Sequence, residues 1–426
     1  MPASGPSDGR GHRKAFLSVS RIAYLLTAFP TVSETFVEGE FRALLRRGLP
    51  IDLYATRNFR ESTHLSDLGD RGLEVQRSPY LLGREIPQAA LYFLLRRPAR
   101  TLGALWAILA GNATSPRYLA HALALFPKSL VFARRMQRRD TRHVHGTWAH
   151  YPATVAYTIS RLLGISYSFT GHAGLDVLSD QSFLAAKVRG ARFVLTCHGA
   201  THANLERLAP ESSAKIHTIH HGVTLSQIPT PGSVPRAHPP EIVSVGRLTP
   251  EKGFLDLLQA AALLAKGGAL FRLRIFGMGP QRAALERERD RLGLGGVVFL
   301  EGVVRHDEIL RALARATVVT LASYPPPDKN MDGIANVLVE AMACGTPVVS
   351  TEYEGSRELL EGGHLGALVP PRDPQRLSDP LHNLLTDPLR REQLSKLGRE
   401  RAERDFDRER NVESVAALFR QLDLGI

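Results

Sequence analysis

The chain has 426 residues, 43% of them hydrophobic, and a formal net charge of +12. It can bury a substantial core but exceeds what one core usually sustains, so two domains are expected and a largely disordered chain is excluded. The only two cysteines, Cys197 and Cys344, match no metal-ligand spacing and offer no disulfide framework, which fits a reducing, cytoplasmic compartment.

Residues 1–18 are dominated by Gly, Pro, Ser and Arg, lack the continuous apolar core of a signal peptide, and read as a flexible tail. From there on, apolar runs of strand length alternate with helix-period segments, the signature of parallel sheets with crossover helices. The first half places strands at Arg21–Leu26, Ile51–Tyr54, Val144–Gly146, Ser166–Thr170, Phe193–Thr196 and Ile216–Ile219. Within it, Leu81–Arg142 carries 11 basic and 2 acidic residues around the apolar runs Leu91–Leu95 and Leu102–Ala110. Neither run approaches the roughly 20 apolar residues that span a bilayer. A basic amphipathic surface of this kind suits an anionic leaflet, with Arg134, Arg135, Arg138 and Arg139 as the cations expected to hold it; an ordinary solvated helical face is the plain alternative.

Five prolines in Ile228–Pro240 read as an interdomain linker, because proline neither continues a helix nor donates to a ladder. The second half places strands at Ile242–Gly246, Arg272–Phe276, Val297–Leu300, Val318–Ala322, Val348–Ser350 and Ala367–Val369. The expected organisation is the tail 1–18, a first doubly wound domain 19–224, a second 225–404, and a last helix in 405–426 that returns across the hinge. Charge divides unevenly: residues up to Pro240 hold 29 Lys and Arg against 15 Asp and Glu, net +14, and the remainder nets −2. No aromatic-rich basic module accompanies that excess, so nucleic acid is not an expected partner.

Ligands of open parallel sheets bind beyond the carboxyl ends of the strands, so chemistry is sought in the loops that follow them. In Asp332–Pro347, DGIANVLVEAMACGTP, apolar residues recur at helical spacing, which puts Asp332 and Gly333 at a helix N-terminus suited to phosphate. Glu340 lies eight residues on, at most about 12 Å along a helix axis, so the two carboxylates can grip both ends of a nucleotide sugar. An N-cap and a surface charge are the ordinary alternative. In VGRLTPEKG, Arg247 and Lys252 follow a strand, with Thr249-Pro250 as cap and first helical residue, and two cations there can take up charge on a departing diphosphate. FGMGP puts Gly277 and Gly279 in a strand-to-helix turn where backbone approaches a ligand closely, without the third glycine of a dinucleotide fingerprint. His172 ends a strand at the cleft. The pairs His143/His145 and His198/His202 have no third ligand at a recognised spacing, so no metal site is expected, and His220 and His221 read as packing and hinge residues.

Together and in order, FPTVSETFVEGEFRALLRRG (Phe29–Gly48), HVHGTWAH (His143–His150), FTGHAGLD (Phe169–Asp176), HHGV (His220–Val223), VGRLTPEKG, FGMGP and DGIANVLVEAMACGTPVVST (Asp332–Thr351) resemble the family-4, group 1 retaining glycosyltransferases of GT-B fold. The likeness is to the exopolysaccharide and colanic-acid-type subgroup. It implies an α/β architecture of two doubly wound, Rossmann-like domains facing across a cleft, 19–224 binding the acceptor and 225–404 the nucleotide-sugar donor. By resemblance, Asp332 and Glu340 fill the acidic positions of the donor motif: Glu340 holds the ribose, and Asp332, with Gly333, Ile334, Ala335 and Asn336, faces the transferred sugar. Arg247 and Lys252 take the donor phosphates, Gly246, Gly277 and Gly279 lie beside the nucleotide, and His172 stands near the sugar and acceptor. Asp332 replaces the glutamate of many members, and Thr147 and Trp148 replace histidine and phenylalanine.

The implied activity is transfer of a sugar, with retention and without a metal or other cofactor, from a nucleotide diphosphate sugar to a glycan or polyprenyl-linked acceptor at the inner face of the membrane. A same-fold enzyme with a soluble acceptor and a non-catalytic nucleotide-sugar-binding protein are the alternatives.

Overall fold

A computed structural model describes residues 20–29, 35–58, 73–80, 83–178, 182–325 and 333–422. The expected tail lies outside them. The first half runs β1 (Arg21–Leu26), α1 (Thr35–Arg46), β2 (Ile51–Ala55), β3 (Val75–Gln76), α2 (Glu85–Arg96), α3 (Pro98–Gly111), α4 (Pro116–Arg138), β4 (Thr141–Gly146), α5 (Tyr151–Leu163), β5 (Ser166–Gly171), α6 (Leu184–Gly190), β6 (Val194–Thr196), α7 (Gly199–Leu208) and β7 (Ile216–Thr218). The second runs β8 (Glu241–Val245), α8 (Phe254–Lys266), β9 (Arg272–Phe276), α9 (Arg282–Arg291), β10 (Val298–Gly302), α10 (His306–Arg315), β11 (Val318–Leu321), α11 (Asn336–Ala343), β12 (Val348–Thr351), α12 (Glu354–Leu359), β13 (Ala367–Val369), α13 (Pro374–Thr386), α14 (Pro388–Asp405) and α15 (Arg408–Arg420).

Two wholly parallel sheets result, ordered β3-β2-β1-β4-β5-β6-β7 and β10-β9-β8-β11-β12-β13. Both are doubly wound, with the order reversing beside β1 and beside β8, as GT-B architecture requires. Strands such as IDLYA in β2 and VVST in β12 are buried at every position because helices cover both faces. β3 was not expected: it adds two residues to the sheet edge by pairing Leu53 with Val75 and Tyr54 with Gln76. Such a short edge carries no periodicity to detect.

The last helix packs on the first sheet. Val412, Val415, Ala416 and Phe419 of α15 share a core with Ile22, Tyr24, Phe41 and Leu44. The chain crosses between the halves twice, side by side: Val223 donates to the carbonyl of Phe406, and Arg408 donates back to that of Val223. The proline-rich segment is fastened to the second half, since the Arg236 guanidinium donates to the carbonyls of Ala314 and Gly345 and to Thr346.

Part of the basic cluster expected to face a leaflet is turned to other work. Arg134 lies 3.7 Å over the Tyr92 ring, Arg135 pairs with Glu85 at 2.6 Å, and Arg139 reaches Asp52 and Glu74. Lys128 is buried, its ammonium on the carbonyl of Thr56 at 2.8 Å and on Asn58, and burial lowers its pKa to about 8. These cations serve the helix–sheet packing.

Candidate active site

On the N-terminal side, β4 and β5 end together and deliver Thr147, Trp148 and His172 to the rim of the sheet. Asp176 organises this rim. Its carboxylate accepts from the backbone N–H of Ala149, His150 and His172 at 2.9–3.0 Å and lies 3.0 Å from Nδ1 of His150. Burial opposes its charge, but His150 and the converging donors hold its pKa down to about 2.

His172 is buried, with Nε2 on the carbonyl of Thr147 at 2.8 Å and Nδ1 on Nε2 of His221 at 3.0 Å. Trp148 packs 4.1 Å from its ring, and Phe36 lies against both histidines. Burial lowers the pKa of His172 and pushes that of His221 well below the histidine range, so both are neutral. His198 caps the N-terminus of α7, accepting from the Thr201 N–H at 3.3 Å, and burial lowers it to about 4.

On the other side, β8 and β9 are extended by two loops zipped together: Gly246 donates to Phe276, Leu248 to Met278 and Gln281 to Leu248. The glycines are required for this approach. A Cβ on Gly277, at φ +139°, would stand 1.9 Å from the carbonyl oxygen of Gly246, and one on Gly279 2.5 Å from that of Leu248. Arg247 projects from this rim, 62% exposed and 3.5 Å from Glu251. The stem of Lys252 lies over Gly246. The helix after this loop starts at Phe254, and Thr249-Pro250 opens a separate short turn ahead of it, correcting the expected cap; Gly253 occupies the cap position.

The donor motif also starts its helix later than its pattern indicated. α11 covers Asn336–Ala343, with Ala335 at the cap and no side-chain cap bond, so Gly333 and Ile334 form a turn ahead of the helix and the expected eight-residue helical spacing does not hold. Asp332 lies outside the described residues. Glu340 sits mid-helix with Oε1 2.9 Å from Nε2 of His306, which raises the pKa of that histidine. Arg408 lies near enough to feel the charge of Glu340, while bonding the carbonyl of Gly222 and the Thr224 hydroxyl.

The two sides meet at Gly333. A Cβ there would lie 2.8 Å from Cδ2 of His198 and 3.4 Å from Ala173, next to His172. Glu358 of α12 braces the same junction, accepting from the Gly199 N–H and facing Nε2 of His220, each at 2.7 Å. Of the expected residues, His172 and Gly333 are thus brought together, with Ile334, Ala335 and Asn336 following; Gly246, Arg247, Lys252, Gly277 and Gly279 form the neighbouring rim, and Glu340 stands beyond. The sequence reading missed His221, Asp176, His198 and Glu358 as members of this site. The first two lie inside motifs already singled out, whereas nothing near Glu358 in sequence announces it.

Among the described residues, one grouping has the ligand atoms for a metal: His172, Cys197 and His221, within 4.8 Å of one another. Burial pushes the Cys197 thiol up to about 12, and the two imidazoles bond each other at 3.0 Å. His143 and His145 are satisfied by Ser166, Ser168 and Thr170 inside the sheet.

Residues 232–401 match the family described as Glycosyl transferases group 1. The colanic acid biosynthesis glycosyltransferase named WcaL in Escherichia coli is 37% identical over 49% of this chain, a match spanning about half of that relative, 52%. The WcaL of Salmonella typhimurium is 27% identical over 94% of this chain and 100% of its own length. Among solved structures, Anabaena HepE in complex with UDP and glucose superposes with a TM-score of 0.65 at 18% identity, covering 95% of this chain and 100% of that one.

Proposed function

From the match of residues 232–401 to the Glycosyl transferases group 1 model, we propose that the chain is a retaining glycosyltransferase of bacterial exopolysaccharide, capsule or lipopolysaccharide assembly, moving a sugar from a nucleotide diphosphate sugar to a polyprenyl-linked glycan. It works in the cytoplasm, peripheral to the inner face of the membrane. The observation that carries this reading is the meeting of the Gly333 turn with His198 and with Ala173, the residue after His172, while Arg247 and Lys252 follow β8, the strand beside β11. The relatives named for colanic acid biosynthesis support the pathway class, and the UDP and glucose of the Anabaena neighbour support the donor class.

In this reading the diphosphate lies against the start of α11, whose positive end favours it, between Arg247 and Lys252. Glu340 holds the ribose, and Asp332 with Gly333, Ile334, Ala335 and Asn336 faces the sugar. Gly246, Gly277 and Gly279 admit the nucleotide. The anomeric carbon–oxygen bond to the diphosphate breaks as an acceptor hydroxyl forms its bond on the same face, and that hydroxyl's proton passes to the departing phosphate oxygen. No strong protein base is demanded. Neutral His172 positions the sugar and acceptor, and the two cations and the helix start supply the charge that a metal would otherwise provide. The donor is a substrate, and no cofactor is required.

The test is incubation of labelled nucleotide sugars, one at a time, with polyprenyl-linked acceptors extracted from cells, followed by NMR of the product's anomeric centre. Transfer with retention is expected. Inversion would overturn the mechanism, and donors left intact across the panel would overturn the enzyme reading in favour of a nucleotide-sugar-binding protein.

A further inference from the structure

Two consecutive helices on the outside of the N-terminal half turn apolar sides to solvent. α2 and α3 are separated by Arg97 alone and rest on one core, α2 through Ala89 and Phe93, α3 through Thr101, Ala104 and Ile108. Outward they present Leu91, Leu94 and Leu95, then Leu102 and Trp106, with Leu95 72% and Trp106 70% exposed. Along α3 the exposed residues Ala99, Leu102, Trp106 and Ala110 recur every three to four positions as an uncharged stripe. A helix at the surface of a soluble protein normally shows water its polar side, so this face is built for another medium or a partner.

The charges around it choose between occupants. Arg84, Arg96 and Arg100 are exposed beside the stripe, and between Val75 and Arg139 the sole acidic residue is Glu85, which Arg135 engages at 2.6 Å. A second copy docking face to face would set arginine against arginine with almost no acid to answer it. An anionic bilayer answers both features, taking leucine and tryptophan at the headgroup–acyl boundary and arginine at the phosphates.

We propose that α2 and α3 are the surface by which the protein docks on an anionic membrane, with Leu91, Leu95, Leu102 and Trp106 entering the interface. This deepens the peripheral-membrane part of the proposed function and rests on it. The face lies on the bilayer without crossing it: α3, of 14 residues, is about 21 Å long against a hydrocarbon core of about 30 Å, and no helix among the described residues is long and apolar enough to span. Asn112, directly after α3, lines a small pocket with Tyr118, Tyr151, His150 and Asp176, and Asp176 is bonded to the backbone of His172, so the docking face and the site rim share one wall.

Flotation with phosphatidylglycerol–phosphatidylcholine vesicles and with phosphatidylcholine alone tests this, with the emission of Trp106 followed by difference from Trp106→Phe. Expected are binding to the anionic vesicles, a blue shift of Trp106 emission, and at least a tenfold loss of partitioning in Leu95→Gln/Trp106→Gln, with Lys266→Gln, exposed on the second half, unchanged. Equal partitioning of that double variant and the wild type, an unshifted Trp106, or conversion of a dimer to a monomer by the double variant on sizing would overturn the proposal. Hydrolysis of the donor, measured without vesicles, is expected to be equal in wild type and double variant. Its absence in both would count against the glycosyltransferase reading and leave the docking result standing by itself.

Discussion

His221 donates its Nε2 proton to Nδ1 of His172 across 3.0 Å. The direction follows from Thr147, whose carbonyl oxygen can only accept, so Nε2 of His172 carries that ring's proton and its Nδ1 offers a lone pair. A second proton on His172 would set two N–H groups against each other. The pH–rate profile is therefore expected to be level near pH 7 and to fall on the acid side with an apparent pKa below 6.5. His221→Phe keeps a ring against Phe36 but removes the donor, and should move that acid limb up toward 6.5. An unmoved limb would mean that the pair does not set the protonation of the site.

The buried histidines also tie stability to pH. His143 is lowered to about 3 and His198 to about 4, chiefly by burial. With folded-state values below the ordinary 6.5, their contribution is fully present above pH 6.5 and is lost as pH falls from 6.5 toward about 4 for His198 and about 3 for His143, because the unfolded chain takes up protons first. At pH 5 each costs up to about 2 kcal/mol, at about 1.4 kcal/mol per pH unit. Calorimetric unfolding at pH 5 in two buffers of different ionisation enthalpy should register net proton uptake, and at pH 7.5 almost none from these groups.

Glu340→Ala should weaken nucleotide-sugar binding, and Asp332→Ala should depress turnover more than nucleoside diphosphate binding, since the two are assigned to opposite ends of the donor. His306 now occupies Oε1 of Glu340, so His306→Ala should leave binding within a few-fold or improve it. Titration calorimetry with the nucleoside diphosphate beside steady-state kinetics separates the cases. Wild-type behaviour in both carboxylate variants would show the donor site to be elsewhere.

Arg247→Ala and Lys252→Ala should each slow transfer by about 10²–10³-fold, the cost of removing one preorganised electrostatic group, or roughly 3–4 kcal/mol. Full activity in excess EDTA is the companion expectation. Activity that disappears with EDTA and returns with magnesium would refute the metal-free mechanism.

Gly333→Ala places a methyl group 2.8 Å from the His198 ring and so wedges the two halves apart where they meet. Turnover should drop at least tenfold with the melting temperature nearly unchanged, and His198→Ala in the same chain should restore part of it. An active single variant would show that transfer does not need this contact.

Fold class was legible because parallel strands covered on both faces read as bare apolar runs: Arg21–Leu26, Arg272–Phe276 and Ala367–Val369 are observed with the bounds expected of them. The N-terminus of α11 was less so. Asp332 and Gly333 were given helical geometry by the periodicity of Ile334, Val337 and Leu338, but Gly333 is pressed between His198 and Gly355 and the chain turns there first. That constraint is tertiary and leaves no periodic trace. The arginines of α4 are harder to read for a related reason: a basic run looks the same in sequence whether its side chains face a leaflet or pair with the sheet edge, as Arg135 does with Gln76 and Arg139 with Asp52.

The packing of α15 on the first sheet has a consequence for how the protein is made. Phe419 sits edge-on to His143, His145 and Phe193, within a core whose members from the first half emerge from the ribosome some two hundred or more residues earlier. The nascent first half must wait with that apolar surface uncovered while the second half, a contiguous stretch of chain, closes around its own sheet. Synthesis therefore proceeds from N to C terminus, but the first half reaches its final form last, and a gene split between the two sheets would yield a working first half only if the codons for residues 405–422 travelled with it.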